Sequence, residues 1–254
     1  MNTTRKVALV TGASSGIGLD IARQLSGEGY SLILVARSEE KLRAIAKELG
    51  SAKVIAADLA RSDAPQKLFD AAGPVDVLVN NAGYGLSGAF SETDLARELE
   101  MIQVNISALT ALTKLFLRPM LARNSGHIVN VASTAAFQPG PLMAVYYATK
   151  AYVLSFSEAI ADELRNSGVK VTALCPGPTA TGFADVAGMA ESNLFKVTKP
   201  MSSRRVAMYG VRAMHRGTRV AIPGLMNKVM MQSLRVSPRR MVIALVRKLQ
   251  EKRQ

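Results

Sequence analysis

The sequence predicts an α/β protein built on a doubly wound parallel sheet, and two observations lead to this fold class. Seven short runs rich in Val, Ile and Leu recur along the chain, and they lack the polar–apolar alternation of strands with one exposed face. Helical patterns separate these runs, and regular alternation of strand and helix is typical of parallel strands joined by right-handed crossovers. The expected strands are 6–11, 31–36, 53–58, 76–81, 127–133, 170–175 and 219–224.

The composition favours one globular domain in a reducing compartment. Of the 254 residues, 48% are hydrophobic, which is enough for a large core. The single cysteine, Cys175, excludes an intramolecular disulfide, and neither histidine has partners at ligand spacing, so we expect no metal site. No run reaches the roughly 18 apolar residues that a membrane span requires. We therefore expect a cytoplasmic protein that is at most peripheral at a membrane surface.

The first expected strand runs into TGASSGIG, residues 11–18, where the first helical pattern begins. Glycines in such a turn let the backbone bend tightly and approach a pyrophosphate, whose negative charge is stabilised by the N-terminus of the helix. Glycine spacing alone is weak evidence, but here the strand before it and the helix after it match a dinucleotide site. We expect a Rossmann-type fold whose cofactor is bound by Gly12, Ser14, Ser15, Gly16, Ile17 and Gly18.

The end of the second strand indicates which dinucleotide binds. An acidic residue there binds the ribose 2′-hydroxyl of NAD(H) and repels the 2′-phosphate of NADP(H). This chain has Ala36 followed by Arg37, and its first carboxylate comes at Glu39. A guanidinium binds a phosphate through paired, charge-assisted hydrogen bonds, although an arginine at a helix start can also be merely solvated. The sequence therefore predicts NADP(H), with Arg37 at the 2′-phosphate.

The stretch YYATK, residues 146–150, offers two candidates for a proton-transferring tyrosine. On a helix, Tyr146 lies four residues and Tyr147 three residues before Lys150, and both spacings place the side chains on one face. The spacing alone does not choose between the two tyrosines.

Several motifs occur in one order over residues 5 to about 182. They are TGASSGIG at 11–18, DL at 58–59, NNAG at 80–83, Asn105, Ser133, YYATK at 146–150 and PGPTAT at 176–181. With this set, the chain resembles the short-chain dehydrogenase/reductase family. The Tyr-x-x-x-Lys pattern of that family selects Tyr146 and leaves Tyr147 as a packing residue.

The resemblance implies a catalytic set of Asn105, Ser133, Tyr146 and Lys150. It implies that Ser133 binds the substrate carbonyl, Tyr146 transfers the proton and Lys150 binds the nicotinamide ribose, while Asn105 holds a water that connects Lys150 to solvent. A lysine ammonium about 5 Å from the phenol is expected to lower the phenol pKa by about 2 to 2.5. The cofactor contacts implied beyond the first loop are Asp58, Leu59, Asn81, Ala82, Gly83, Tyr146, Lys150, Pro176, Gly177, Thr179 and Thr181.

By the same resemblance, the expected function is that of an NADPH-dependent carbonyl reductase or alcohol dehydrogenase. The alternative is a non-catalytic NADP(H)-binding sensor or scaffold, which would have no use for the complete catalytic set. Residues 183–217, within a catalytic domain spanning 1–224, correspond to the substrate lid of the family. Their methionines and aromatic residues favour an apolar or acyl-chain ketone or aldehyde, or they simply pack the lid onto the domain.

The basic charge is concentrated at the C-terminal end. Residues 1–195 carry 17 Lys and Arg against 18 Asp and Glu, whereas residues 196–254 carry 15 against 1. Residues 225–254 are predicted to form a helical tail of two basic amphipathic helices broken near Pro238. The expected apolar surface of the tail comprises Val242, Ile243, Leu245, Val246 and Leu249.

The tail has three possible partners, which are an anionic membrane, an acidic carrier protein and the protein's own domain. Nucleic acid is not an expected partner, because the last 45 residues contain no aromatic side chain for base stacking. The tail also differs from the short glycine-rich end of the tetrameric reductases in the family. A homodimer through the long central helices is therefore expected rather than a tetramer.

Overall fold

The computed structural model describes residues 5–50, 52–189, 192–194 and 200–251. Two of the strands form a separate parallel pair, β7·β8, and the other seven form one parallel sheet in the order β3-β2-β1-β4-β5-β6-β9, which confirms the expected fold class. The strands are β1 (Val7–Thr11), β2 (Ser31–Ala36), β3 (Ala52–Ala56), β4 (Val77–Asn80), β5 (Gly126–Val131), β6 (Val169–Leu174), β7 (Thr179–Ala180), β8 (Met201–Ser202) and β9 (Val220–Ala221).

Helices cover both faces of the sheet. A π-helical turn, 103–108, joins the fourth and fifth helices, and a short 3₁₀ turn, 134–137, follows β5. The helices are α1 (Gly16–Gly27), α2 (Glu39–Glu48), α3 (Ala64–Ala72), α4 (Leu95–Ile102), α5 (Leu109–Ala122), α6 (Ala144–Glu163), α7 (Phe183–Val186), α8 (Ser203–His215), α9 (Leu225–Ser233) and α10 (Arg239–Gln250).

The alternation of side chains along the strands creates two apolar cores. In β1, Val10 points to the face covered by α1, α2 and α8, whereas Leu9 points to the face covered by α3, α5 and α6. Leu25 is fully buried in the first core and Phe116 is buried in the second. Each such side chain stabilises the fold by about 1.5–3 kcal/mol relative to an exposed position. Strands buried on both faces explain the lack of polar–apolar alternation in the sequence.

The strand order fixes where a ligand can bind. From β1 the chain first builds β2 and β3 on one side and then returns to build β4 on the other side of β1. The carboxyl ends of β1 and β4 therefore flank the topological switch point, where open parallel sheets form their binding crevice.

The segment predicted to be a lid, 183–217, divides into two parts. Helix α7 and residues 192–194 lie beside the crevice. Helix α8 instead packs against α1 and buries Val206 and Val211 in the first core, so it belongs to the helical layer of the sheet. Residues 190–191 and 195–199 lie outside the described part of the chain.

The C-terminal tail packs on the domain through one face. Its two helices are separated near Pro238, as expected. Val242 and Val246 of α10 are buried beside the two tyrosines of α6, whereas Leu245 is 59% exposed. The apolar residues expected to share one surface therefore lie on two sides of the helix. Within the described ranges, no helix combines the length and the apolar character needed to cross a bilayer.

Candidate active site

A cleft of about 1290 Å³ opens at the carboxyl ends of the strands. The loops after β1 through β6 contribute to its lining, together with α6 and both helices of the tail. The expected catalytic and cofactor residues line it with the exception of Gly18 and Asn105, which are buried behind its wall. The chain therefore brings the motifs together although they span residues 11–181.

The loop after β1 can accept a phosphate at close range. Gly12 and Gly16 have φ angles of +64° and +57°, in the left-handed region that favours glycine. A Cβ atom at Gly12 would lie 2.7 Å from Asn81 Nδ2, and one at Gly18 would collide with the same amide. These glycines let α1 begin directly against the segment after β4, and the first residues of the helix, Gly16 and Ile17, line the cleft.

Thr11 fixes the two sides of the switch point to each other. Its Oγ1 accepts hydrogen bonds from the backbone N–H groups of Asn81 and Ala82, both 3.0 Å, and donates to the Val79 carbonyl at 3.2 Å. Asn81 Nδ2 returns hydrogen bonds to the carbonyls of Thr11 at 3.0 Å and Gly12 at 3.2 Å. The glycine loop after β1, residues 11–18, is therefore hydrogen-bonded to the segment that carries Gly83.

The far end of the cleft is basic on one side. Arg37 is exposed and lines the cleft together with Ser38 and Lys41, two residues that the sequence analysis did not identify. The first carboxylate after β2, Glu39, is paired with Arg43 at 2.6 Å. Among the described residues, neither Arg37 nor Lys41 has a carboxylate partner, so both cations are available to an anionic ligand.

Two predicted cofactor contacts, Asp58 and Leu59, follow β3 and also line the cleft. The Asp58 Oδ1 atom accepts a hydrogen bond from the Ala60 N–H at 3.1 Å, which fixes the exposed carboxylate at the rim. Leu59 is 6% exposed and packs into the second core.

At the other end of the cleft, Ser133, Tyr146 and Lys150 converge. The Ser133 hydroxyl caps the 3₁₀ turn by accepting a hydrogen bond from the Ala135 N–H at 3.1 Å, donates to the Pro176 carbonyl at 3.4 Å and lies near the Tyr146 hydroxyl. Lys150 is 5% exposed, donates from Nζ to the Val131 carbonyl at 2.8 Å and lies 5.9 Å from the centroid of the Tyr146 ring. Tyr146 is thus the tyrosine that faces the serine and the lysine.

Asn105 supports this group from behind. Its Nδ2 donates to the Tyr84 carbonyl and to Thr149 Oγ1, both at 3.0 Å, and its Oδ1 accepts from the Tyr84 N–H at 3.2 Å. The π-helical turn directs this side chain inward, where it is 1% exposed. A Cβ atom at Gly83 would lie 2.7 Å from Asn105 Oδ1 and 3.6 Å from Lys150 Nζ, so glycine is needed for these elements to approach.

A model of the family described as short chain dehydrogenase matches residues 6–192. The chain belongs to the short-chain dehydrogenase family. It is 39% identical over 211 residues to a putative ketoacyl reductase of Streptomyces coelicolor, with 79% of this chain and 81% of that protein covered.

Two solved structures of the family are similar to the whole chain. The short-chain dehydrogenase of Sphingobium yanoikuyae in complex with NADPH has a TM-score of 0.83 at 30% identity and covers 97% of this chain and 98% of its own. A short chain dehydrogenase/reductase of Burkholderia phymatum in complex with NAD has a TM-score of 0.80 at 27% identity and covers 100% of this chain and 99% of its own. Relatives with this fold therefore bind either dinucleotide.

Burial dominates the ionisation of the tyrosine and the lysine in this short-chain dehydrogenase. It raises the pKa of the Tyr146 hydroxyl well above its ordinary value, and the neighbouring Ser133 hydroxyl opposes this rise. Burial also lowers the pKa of the Lys150 ammonium to about 8. The expected net lowering of the phenol pKa is wrong for the protein without cofactor, because the loss of hydration on burial is the largest influence on the Tyr146 hydroxyl.

The loop after β6 completes the lining of the cleft. The cofactor contacts predicted in this loop, Pro176, Gly177, Thr179 and Thr181, all line the cleft. Thr179 is 8% exposed and donates to the Gly177 carbonyl at 2.9 Å. The neighbouring Cys175 is buried, and burial raises the pKa of its thiol to about 12, which disfavours a nucleophilic thiolate. In the described ranges, no three His, Cys, Asp or Glu residues cluster in a way that could bind a metal.

The tail forms one wall of the cleft, a position that was not predicted from the sequence. Residues of both tail helices line it, and the hydroxyl of Tyr147 accepts a hydrogen bond of 2.6 Å from Gln250 Nε2. The Tyr147 ring also lies so close to Gly140 that a Cβ atom there would clash. The apolar spacing at Val242 and Val246 was the available signal, but it did not reveal which surface these residues cover.

The raised pKa of Tyr146 gives a spectroscopic prediction for the protein without cofactor. Below about pH 10, the ordinary phenol value, Tyr146 should remain protonated. The alkaline rise in phenolate absorbance should therefore be the same for the wild type and Tyr146→Phe up to that pH, and should differ by one tyrosine only above it. A phenolate near pH 8 that is absent from Tyr146→Phe and present in Tyr147→Phe would contradict the dominance of burial.

Proposed function

We propose that this short-chain dehydrogenase is an NADPH-dependent carbonyl reductase or alcohol dehydrogenase that acts on apolar or acyl-chain ketones and aldehydes. The observation that carries the proposal is the convergence of Ser133, Tyr146 and Lys150 in the same cleft as the glycine loop. A proton donor beside a dinucleotide-binding loop is what the reduction of a carbonyl requires.

The residues of the cleft fit a dinucleotide. The positive φ angles of Gly12 and Gly16 and the start of α1 suit a pyrophosphate, and Gly83 leaves room at the other end. One relative is in complex with NADPH and another with NAD, so the fold alone does not determine which cofactor binds. We therefore infer the choice of cofactor from the basic end of the cleft. Arg37 and Lys41, with Glu39 held away by Arg43, favour the 2′-phosphate of NADP(H).

The proposed chemistry assigns one role to each polar side chain. A bound nicotinamide supplies the hydride for reduction or accepts it in the reverse direction. Ser133 hydrogen-bonds to the substrate oxygen and Tyr146 donates its proton there, which stabilises the negative charge that develops on the oxygen. The raised pKa of Tyr146 keeps the phenol protonated at neutral pH, in the state required for reduction.

Lys150 and Asn105 support this transfer. Lys150 places a cation beside the phenolate that is left and binds the nicotinamide ribose. The side-chain atoms of Asn105 are engaged with Tyr84 and Thr149. Asn105 therefore acts by fixing the π-helical turn, where a water relay to Lys150 can be held.

The substrate end of the cleft favours an apolar molecule. Methionines adapt to irregular apolar shapes, and burial of each methylene group stabilises binding by about 0.8 kcal/mol. The relative described as a putative ketoacyl reductase supports an acyl chain as one possible substrate body. The apolar lining includes Met143, Phe183, Met189, Met231, Val246 and Leu249.

The second candidate is a non-catalytic NADP(H)-binding sensor or scaffold. It needs the glycine loop and Arg37 but no proton donor. The placement of Ser133 and Tyr146 next to a buried Lys150 favours the enzyme, because an ammonium group is costly to bury without a use in turnover. Turnover of any ketone with NADPH separates the two candidates.

We also propose that the tail makes a peripheral contact with an anionic membrane. The exposed side of the tail combines apolar side chains, such as Met241 at 67% and Leu245 at 59% exposure, with cations. The exposed basic residues of the tail are Lys228, Arg235, Arg239, Arg240, Arg247 and Lys248. Lys252 and Arg253, which also contribute charge, lie outside the described residues.

A homodimer through the outer face of α5 and α6 is also part of the proposal. On this face Tyr152 is 38% exposed and stacks on Phe156, with ring centroids 5.7 Å apart, so a flat aromatic surface is available to a second copy. Sedimentation equilibrium of the wild type and Tyr152→Glu tests it. A wild-type mass equal to one chain would exclude the dimer.

Replacing Tyr146 by phenylalanine removes only the transferable proton. Turnover of an apolar ketone such as 2-octanone should fall by about 10² to 10⁴-fold, the usual contribution of general acid catalysis. NADPH binding, measured by its fluorescence, should be nearly unchanged. In the matched variant Tyr147→Phe, turnover of the same ketone should stay within about tenfold of the wild type. The opposite pattern would show that Tyr147 is the acid.

Replacing Arg37 by aspartate tests the choice of cofactor. The loss of a charge-assisted hydrogen bond, about 1.5–3 kcal/mol, should lower kcat/KM for NADPH by about 10- to 100-fold. The difference in kcat/KM between NADPH and NADH should become smaller as a result. The matched control is Arg212→Asp, which makes the same charge change at an exposed residue of α8 that does not line the cleft. Equal efficiencies with NADPH and NADH in the wild type would contradict the proposal.

Co-sedimentation of the full-length protein with liposomes tests the membrane contact. Each basic residue near an anionic surface contributes about 1 kcal/mol, so binding should require anionic lipid and decline with salt. The double variant Met241→Ser, Leu245→Ser should bind more weakly. The control Leu95→Ser, Leu99→Ser changes two residues of α4 with 68% and 56% exposure and should bind normally. Absence of binding at low salt would leave the tail as a structural element only.

A further inference from the structure

Gln250, the last residue of α10, is a polar side chain buried in the wall of the cleft. It is 3% exposed, and it lines the same cavity as Ser133 and Tyr146. An amide is costly to bury unless its polar atoms are hydrogen-bonded, so both the Nε2 and the Oε1 atom of Gln250 require a hydrogen-bond partner.

One side of the amide is bonded to the protein. The Nε2 atom of Gln250 donates to the Tyr147 hydroxyl at 2.6 Å in a buried hydrogen bond. The Tyr147 ring is held against Gly140 and meets the Tyr146 ring edge-on, with centroids 6.0 Å apart and an angle of 79°. Gln250 is therefore in a fixed position relative to the proposed proton donor.

The end of α10 is itself tied in place. Asn193 donates from Nδ2 to the Lys248 carbonyl at 3.1 Å and from its backbone N–H to the Glu251 carbonyl at 3.3 Å. Val246 packs one turn earlier among the apolar residues beside the two tyrosines. These contacts come from different elements, so the amide is held by the tertiary structure.

The other side of the amide is free. The Oε1 atom of Gln250 is buried and has no hydrogen-bond partner among the described residues. A buried acceptor without a partner destabilises its surroundings, and a ligand that supplies a donor removes this cost. The neighbouring side chains of α10, Val242 and Val246, are apolar, and Gln138 Oε1 is the other amide oxygen of the cleft lining that has no partner among the described residues.

We propose that Gln250 is a specificity-determining residue that binds a hydroxyl or amide N–H on the body of the substrate, away from the carbonyl that is reduced. This rests on the proposed function and narrows its substrate class to apolar ketones, or the corresponding secondary alcohols, that carry a second hydrogen-bond donor. Tyr147 acts as a positioning residue, because it fixes the amide with this oxygen directed to the substrate.

The test compares matched ketones with the full-length protein and NADPH. The probes are phenyl alkyl ketones with a hydroxyl at the ortho, meta or para position, their methyl ethers, and the unsubstituted parents. At one position or more, the hydroxylated ketone should exceed both its ether and its parent in kcat/KM by about tenfold, because sites built to bind a donor discriminate against analogues that lack it. The methyl ether retains an acceptor but has no donor.

Two variants test whether Gln250 causes the preference for the hydroxylated ketone. Gln250→Leu should bring kcat/KM for the hydroxylated ketone and for its parent within about twofold of each other, mainly through KM. Lys248→Leu changes an exposed side chain on the same helical turn and should keep the preference. A wild type without preference at any position, or a preference that survives in Gln250→Leu, would overturn the assignment.

Calorimetric titration with the same compounds in the presence of NADP⁺ separates recognition from turnover. Tighter binding of a hydroxylated compound by the wild type, lost in Gln250→Leu, supports the assignment even if no ketone is reduced. In that case only the proposed function fails. Equal binding of the hydroxylated compound, its ether and its parent overturns the assignment whether or not turnover occurs.

Discussion

The hydroxyl of Thr11 is the interaction on which the rest of the site depends. It sits at the carboxyl end of β1, 1% exposed, and joins three backbone groups of β4 and the segment that follows it. Parallel strands are otherwise bonded only along their length, so their loops need side chains to fix them relative to each other. With Thr11 in place, the glycine loop and Gly83 face the same cleft, and Asn105 and Lys150 pack against Gly83.

The chemistry of the site follows from desolvation more than from attraction between charges. Lys150 is buried with one hydrogen bond to a carbonyl, and Tyr146 is buried beside it. Both groups therefore shift towards their neutral forms, the phenol upwards and the ammonium downwards in pKa. The neutral phenol is a proton donor at rest. The Lys150 Nζ atom lies 5.9 Å from the centre of the Tyr146 ring. The low dielectric of this buried site strengthens the attraction between the ammonium and the phenolate that forms after proton transfer.

The fold and most of the motif positions could be predicted from the sequence because they are encoded locally. Strands buried on both faces produce uninterrupted apolar runs. Glycines occur where the backbone needs a positive φ angle, as at Gly12 and Gly16. The position of the tail could not be predicted in this way. An amphipathic helix specifies that Val242 and Val246 need an apolar surface, and a membrane or a domain satisfies that need equally. Long-range contacts such as that of Gln250 with Tyr147 leave no periodic signal, and the size of the pKa shift of Tyr146 depends on burial, which spacing does not reveal.

The two sides of the tail connect the proposed substrate class to the proposed location. The inner side carries Val246 and Gln250 and completes the cleft, whereas the outer side carries the cations. Leu225 and Met226 belong to both surfaces, because they line the cleft and are 78% and 71% exposed. An anionic membrane bound by the outer side would therefore meet the rim of the cleft. An apolar ketone partitioned into the lipid could then enter along these side chains, and its transfer from bulk water would not be required.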